Sequence, residues 1–260
     1  MERKIAKRYD EYIIHMNKIL IANWKMKPTT LEEVVHVASA CDTPDVIIAP
    51  PAIFFDAVHR VAPKAILAVQ TISDEDPVGG GAYTGEISAT MAKASGAAYA
   101  IVGHSERRQY NHETDAQIAK KVVTAYTAGI QPVLCVGERK EVRARGFIAA
   151  QEFVQEQLRN NLSLIYTSAP RIIVAYEPIW AIGTGDNATP QQAVDMAIVI
   201  KKMVTEIIPS ATVSVLYGGS VTGENAEQFL QKKEIDGLLV GGASVNVDSF
   251  SRIITSARNA

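Results

Sequence analysis

The sequence predicts an α/β fold, a single-domain (β/α)8 barrel of parallel strands ringed by helices. Three observations predict it. From Lys18 onward, short apolar runs alternate with longer amphipathic ones. Eight such strand–helix units fit into roughly 240 residues, the size of this architecture. Each apolar run is nearly continuous in Ile, Val, Leu and Ala, the pattern of strands buried on both faces. The rival is an open, doubly wound sheet, which usually carries a Gly-rich fingerprint after its first strand. Asn23-Trp24-Lys25-Met26 stands there instead. No Pro/Ser-rich linker divides the chain.

Taken in order, Met1 to His15 comes first and differs in character from the rest of the chain. It mixes Glu2, Arg3, Lys4, Lys7, Arg8, Asp10 and Glu11 with a short apolar patch. It lacks the apolar run of a signal peptide, and its acids argue against a transit peptide. Residues 1–15 therefore read as a loosely packed N-terminal extension, and 16–260 as the barrel, with Met16 an equally good first residue. Strands are expected at Lys18–Trp24, Asp45–Ala49, Ala65–Gln70, Ala98–Gly103, Pro132–Gly137, Arg171–Tyr176, Thr212–Gly218 and Asp236–Gly241. Helical stretches include Glu113–Ala128, Phe147–Ile165, Pro190–Ile208, Glu224–Lys233 and Val247–Ala257. Thr189-Pro190-Gln191-Gln192 is a helix start, with a Thr cap, Pro in the first turn and Gln three residues after the cap. Gly129 and Pro209 mark helix ends.

Composition narrows the function classes. The chain is 47% hydrophobic and 21% charged, with a net charge of -2 and both signs interspersed. Nothing in it suggests a nucleic-acid surface, and no apolar run approaches a membrane span. Cys41 and Cys135 form neither a disulfide framework nor a metal-ligand spacing, which favours a reducing compartment, the cytoplasm. The five histidines make no HxH or HExxH pair.

In such a barrel, chemistry gathers at the C-terminal ends of the strands. Those positions hold Asn23 and Lys25, then Gly103-His104-Ser105-Glu106-Arg107-Arg108, then Glu177, then Tyr217-Gly218-Gly219-Ser220, then Gly241-Gly242-Ala243-Ser244. Each has a plain structural reading. Lys25 reads as a solvated strand end, His104 with Glu106 and the arginines as an ion-pair cluster, and each Gly pair as a turn. Their coincidence on one rim favours chemistry. Gly-rich turns expose backbone N–H groups to a phosphate dianion, and Ser220 can add a hydroxyl. Removing a proton beside a carbonyl needs a base and an electrophile. Glu177 suits the base; His104, Lys25 and Asn23 suit the electrophile.

Six segments carry a resemblance. They are Asn23-Trp24-Lys25-Met26, Gly81-Ala82-Tyr83-Thr84-Gly85-Glu86-Ile87-Ser88, Val102 to Arg108, Tyr176 to Gly185, Tyr217 to Val221 and Leu239 to Ser244. Together they resemble the signature segments of the triosephosphate isomerase family, whose fold is the TIM barrel. The resemblance covers the chain from about Met16 to its end. It implies interconversion of dihydroxyacetone phosphate and D-glyceraldehyde 3-phosphate through an enediolate, with no metal and no organic cofactor. It implies Glu177 as the base and His104 as a neutral imidazole, its pKa lowered by a helix N-terminus. Lys25 offsets charge, Asn23 is a positioning donor, and Glu106 organises Lys25 and His104. Gly183, Ser220, Gly241 and Gly242 match the phosphate grip. A lid would begin Pro178-Ile179-Trp180-Ala181-Ile182-Gly183-Thr184-Gly185 and end near Ala188. The resemblance also implies a homodimer, formed through the 14-residue loop Ile72–Gly85.

Three departures from the family pattern stand out. Thr71 follows Gln70 where Asn or Asp is common, which bears on support of the loop after the first strand. Asp186-Asn187 ends the lid where a Lys-Thr pair is common. Arg139 replaces a small hydroxyl residue. The competing readings are a metal-dependent sugar-phosphate epimerase, a Schiff-base aldolase and a catalytically silent binding protein. The first two would carry metal-ligand or Schiff-base residues on the strands, and the third would have lost Glu177, His104 or Lys25.

Overall fold

The computed structural model describes residues 18–165, 170–181 and 188–260. Its strands are β1 (Ile19–Asn23), β2 (Val46–Ala49), β3 (Ile66–Val69), β4 (Tyr99–Val102), β5 (Gln131–Val136), β6 (Arg171–Tyr176), β7 (Thr212–Tyr217) and β8 (Gly237–Val240). They pair in parallel and in sequence order, and β8 returns to β1 to close the barrel. The expected (β/α)8 architecture is therefore present, with each strand within a residue of its expected ends. The N-terminal extension 1–15 lies outside the described residues.

Helices cover the barrel: α1 (Leu31–Ala40), α2 (Phe55–Val61), α3 (Ala89–Ala94), α4 (Ser105–Tyr110), α5 (Asp115–Thr127), α6 (Lys140–Arg143), α7 (Phe147–Asn161), α8 (Pro190–Ile207), α9 (Ala226–Leu230) and α10 (Val247–Arg258). Two depart most from the stretches that the periodicity predicts. The stretch expected to reach Ile165 stops at Asn161, where the Ser163 hydroxyl donates to Asn160 O at 2.8 Å and offers the backbone an alternative to another turn. The stretch expected from Glu224 starts at Ala226, because Asn225 Oδ1 accepts the Thr222 N–H at 2.8 Å and holds a turn there. Thr189 caps α8 as expected, in a reciprocal capping box with Gln192. The same device opens α1 at Thr30 and α5 at Thr114.

Strand side chains alternate between two cores, because successive residues point to opposite faces of a strand. Ile21, Ile47, Ile101, Val133, Cys135, Ile173, Ala175, Leu216 and Leu239 fill the barrel interior. Leu20, Ala22, Val46, Ile48, Val102, Leu134, Val174, Val215 and Val240 pack outward against the helices. Continuous apolar strands are the consequence of having no solvated face.

Thr189→Ala removes the hydroxyl arm of the α8 cap, the acceptor of the Gln192 N–H, and leaves the backbone N–H donating to Gln192 Oε1. The unfolding free energy from urea denaturation is expected to fall by about 1 kcal/mol, and an unchanged midpoint would show that Pro190 and the packing of α8 suffice.

Candidate active site

The inward alternation dictates what stands at the barrel mouth. Two residues beyond Ile21, Cys135, Ala175, Leu216 and Leu239 lie Asn23, Gly137, Glu177, Gly218 and Gly241. The glycines make room for the others. A Cβ on Gly137 would sit 1.7 Å from the backbone oxygen of Glu177, one on Gly218 3.1 Å from Glu177 Cγ, and one on Gly241 3.3 Å from Lys25 Cε. Small residues at the top of three strands thus leave a hollow that the long side chains of Glu177 and Lys25 enter.

Glu177 is only 2% exposed. Its backbone N–H donates to Val136 O at 2.8 Å, continuing the β5–β6 ladder past the last strand residue. Its Oε2 accepts the backbone N–H of Ser105 at 2.8 Å. Its Oε1 lies 2.9 Å from His104 Nε2, close but without a well-directed hydrogen bond. Burial raises the carboxyl pKa, but His104, the Ser105 N–H and Lys25 outweigh it, so Glu177 lies below the usual carboxylate range. It is a carboxylate at neutral pH, kept from water.

His104 caps α4, and its Nδ1 accepts the Glu106 N–H at 3.2 Å. A ring that accepts at Nδ1 carries its single proton on Nε2, which faces Glu177. Burial lowers the imidazole pKa, yet Glu177 and Glu106 raise it more, and the net direction is upward. The resemblance implies a lowered value, and the difference has a physical reason. An ionised carboxylate 2.9 Å away outweighs the partial charge at the end of a six-residue helix.

Lys25 adopts a left-handed backbone, φ 54°, which is strained for a side chain with a Cβ. Three contacts hold it. Its N–H donates to Asn23 Oδ1 at 3.1 Å, its carbonyl accepts from Gln70 Nε2 at 2.8 Å, and its Nζ donates to Glu106 Oε1 at 2.5 Å. Gln70 Nε2 also reaches Ala49 O at 2.9 Å. The loop after β1 is therefore supported by Gln70, and the departure at Thr71 leaves that support intact. Thr71 instead accepts from Lys121 Nζ at 3.2 Å, beside the buried Lys121–Glu113 pair. Glu106 lies between Lys25 and His104, 3.8 Å from Nδ1.

A cavity of about 470 Å³ lies over these groups, lined by Asn23, Lys25, His104, Glu177, Gly218, Gly219, Ser220, Gly241 and Gly242 among others. Every described residue of the expected catalytic and phosphate-binding sets lines it except Glu106, which faces a neighbouring cavity that Lys25 and His104 also share. The Ser220 hydroxyl donates to Ala181 O at 2.7 Å, so in this arrangement it grips the segment after Glu177. Of the expected lid, Pro178 to Ala181 are described, with Ile179–Ala181 forming one 3₁₀ turn. Ile182, Gly183, Thr184, Gly185, Asp186 and Asn187 lie outside the described residues. A larger hollow of about 1030 Å³ opens beside the mouth, along Ser105, Gly137 and Trp180, but holds none of Lys25, His104 or Glu177.

Sequence reasoning missed Ser105, Gln70 and Gly137. Ser105 acts through its backbone N–H, which carries no residue signature. Gln70 is legible only as a polar residue ending an apolar strand. Gly137 reads as a strand end, although a glycine two residues beyond an inward cysteine marks a close approach. Gln70→Ala takes away the donor to Lys25 O. The unfolding free energy is expected to fall by about 1 kcal/mol, with Gln70→Glu, which keeps the shape and loses the donor, matching it. A Gln70→Glu variant as stable as the wild type in urea would remove Gln70 from this role.

Comparison with known proteins agrees with this geometry. The family model described as triosephosphate isomerase matches residues 18–257. Curated relatives named triosephosphate isomerase include those of Dictyoglomus thermophilum (39% identical; 92% of this chain, 99% of the relative) and Aquifex aeolicus (38%; 93% and 100%). The protein of that name from Thermus thermophilus is 40% identical over 93% of this chain and 100% of its own. By its barrel, by the groups that meet at its mouth and by similarity along nearly its whole length, the chain belongs to the triosephosphate isomerase family.

Proposed function

We propose that this chain interconverts dihydroxyacetone phosphate and D-glyceraldehyde 3-phosphate through an enediolate, with Glu177 as the base. The observation that carries the reading is the ionised, water-shielded carboxylate of Glu177 beside His104 Nε2. Glu177 takes a proton from the carbon next to the carbonyl. The C–H electron pair forms the C=C bond, and the carbonyl π pair moves to oxygen. His104 Nε2–H and the Lys25 ammonium meet that developing negative charge, and Asn23 orients the oxygen. The hydroxyl proton of the first carbon then passes by way of His104 Nε2 to the oxygen of the second, and the same carboxyl returns its proton to the second carbon; the C=C pair forms the new C–H bond and the freed O–H pair forms the new carbonyl. The phosphate lies across the cavity at Gly241 and Gly242, with Gly218, Gly219 and the Lys25 charge nearby. All the groups used are side chains and backbone amides of the chain, and the reading requires no metal or organic cofactor.

In the same reading Pro178 to Gly185 covers the bound triose, and Gly183 adds to the phosphate grip. Support comes from the described part, which is held on one side by Ser220 and on the other by the Ile179 N–H donating to Glu138 O at 3.2 Å. The enzyme works in the cytoplasm in this reading. Its buried, unpaired Cys41 and Cys135 suit a reducing compartment, and no described helix is long and apolar enough to cross a membrane.

The working form is a homodimer through the loop Ile72–Gly85. Val78 and Tyr83 on this loop are exposed, as are Met26 (88%) and Tyr110 beside the cavity next to the site. That cavity, about 470 Å³, is lined by Lys25, Met26, Gln70, Thr71, Glu106 and Tyr110 among others, and it suits a loop tip from a second copy. Docking there would cover Met26 and press on the Lys25–Glu106 pair.

A coupled spectrophotometric assay on glyceraldehyde 3-phosphate, run with a chelator, tests the reaction and its metal independence together. Undiminished turnover is expected. Glu177→Asp sets the carboxyl back by about an ångström and is expected to lower kcat by about 100-fold or more, with inhibitor binding kept; wild-type-like turnover would take the base role from Glu177. Sedimentation at low micromolar concentration is expected to give a two-chain species, and a fully active single barrel would end the dimer reading.

A further inference from the structure

Two seams of the barrel carry their hydrogen bonds one rung past the last paired residues. Val136 pairs with Tyr176, and the Glu177 N–H donates to Val136 O; Tyr176 pairs with Tyr217, and the Gly218 N–H donates to Tyr176 O. The seam between β4 and β5 departs from this. Its last pair is Val102 with Leu134. In the same register, the Cys135 carbonyl would take the His104 N–H. Gly103 turns the chain away first, with φ 71°. The Cys135 carbonyl accepts from Arg108 Nη2 at 3.3 Å instead.

The same guanidinium donates through Nε to Gly103 O at 2.8 Å and through Nη1 to Asp115 Oδ1 at 2.6 Å. One planar fork thus holds the carbonyl before His104 and the open carbonyl of β5, and Asp115, at the start of α5, holds the fork. The Arg108 side chain is 12% exposed. A Cβ on Gly103 would stand 3.0 Å from Ile118 and 3.1 Å from Arg108 Nη2, so turn and guanidinium are packed against each other.

This bears on the site through one peptide plane. The Gly103 carbonyl and the His104 nitrogen belong to the same rigid unit, so fixing the carbonyl sets the direction in which His104 and Ser105 leave the strand. Those two residues supply the Ser105 N–H at 2.8 Å and the imidazole Nε2 at 2.9 Å to the Glu177 carboxylate. Arg108 itself lines the larger hollow beside the mouth and is not among the residues lining the cavity over Glu177.

We propose that Arg108 is a positioning residue for the proton transfer: its guanidinium replaces the missing rung between β4 and β5 and so fixes the turn that presents His104 and the Ser105 N–H to Glu177. The plain alternative is that Arg108 only fastens α4 and α5 to the barrel. The two differ in what reaches Glu177.

The test reads the contact and the turnover separately. His-Ser occurs once in the chain, at His104-Ser105. Carbonyl-13C histidine with 15N serine therefore makes the Ser105 amide the one doubly labelled peptide, and its proton resonance reports the hydrogen bond to Glu177. Arg108→Met keeps an unbranched stem and loses the fork. In the full chain, it is expected to move the Ser105 amide proton upfield and to lower kcat on glyceraldehyde 3-phosphate about tenfold, the worth of one hydrogen bond to a charged group. KM is expected to stay within about twofold, because the phosphate side of the cavity is untouched. Arg108→Lys keeps the charge, but one ammonium cannot span two carbonyls and Asp115. Both its readouts should fall between those of wild type and Arg108→Met. An unmoved Ser105 resonance or an unchanged kcat in Arg108→Met, whatever its melting temperature, would overturn the proposal. A Lys variant equal to wild type beside an affected Met variant would also overturn it, because charge at a distance would then suffice. If Arg108→Met does not fold, Asp115→Asn removes the charge that holds the guanidinium, and the Ser105 resonance must move upfield and kcat must fall there too. The proposal rests on Glu177 as the base. Wild-type turnover in Glu177→Asp strikes that reading, whereas lost turnover there, with indifferent Arg108 variants, strikes only this one.

Discussion

A charged carboxylate with 2% of its surface in water is the constraint on which the site depends. Left alone, such a group would take up a proton, because burying an unpaired charge costs several kcal/mol. Glu177 stays ionised because a backbone N–H, an imidazole and an ammonium converge on it. They come from two distant parts of the chain. Ser105 and His104 begin α4, and Lys25 follows β1. Only a closed sheet brings residues this far apart in sequence to one carboxylate and keeps them there without ordering them anew at each turnover.

The barrel does this through its alternation. Each strand sends every second side chain inward, and the interior below the mouth is filled by Ile21, Cys135, Ala175, Leu216 and Leu239. The next inward layer is where packing gives way to chemistry. Gly137, Gly218 and Gly241 leave it partly empty, and Glu177 and Lys25 reach into the space. Lys25 does so from a left-handed backbone that costs about 1–3 kcal/mol, held by Asn23, Gln70 and Glu106. Strain at the loop is thus carried by a neighbouring strand end and by the helix that also presents His104. The segment after Glu177 is gripped in turn by Ser220 and by the Glu138–Arg143–Trp180 cluster, which tether it to the rim.

Much of this is legible in the order of residues alone. The eight strands can be read because a strand buried on both faces needs apolar residues at every position, a signal that survives without partners. Thr189 can be read as a cap because a capping box is a local motif. Short helices are harder. Ser105–Tyr110 has too few turns for a 3.6-residue period to register, yet it carries His104 and Glu106. The helix ends at Asn161 and Ala226 depart from the periodicity because a serine hydroxyl and an asparagine amide compete for the backbone. Among the site residues, those acting by a distinctive side chain are readable. Ser105, acting by its amide, and Gln70, acting on two carbonyls, are not.

The amino-acid sequence by itself determined the barrel and named the groups that meet at its mouth: Glu177, His104, Lys25, Asn23 and the Gly-rich turns. Periodicity and residue type are local properties, and a linear chain displays them openly. The tertiary structure alone decided how those groups are charged and engaged. It placed Glu177 against His104, so that the imidazole is raised rather than lowered. It turned the Ser220 hydroxyl to Ala181 and set Arg143 over Trp180. Protonation, hydrogen-bond direction and ring stacking depend on distances of a few ångströms between residues remote in sequence, and those distances exist only once the barrel has closed.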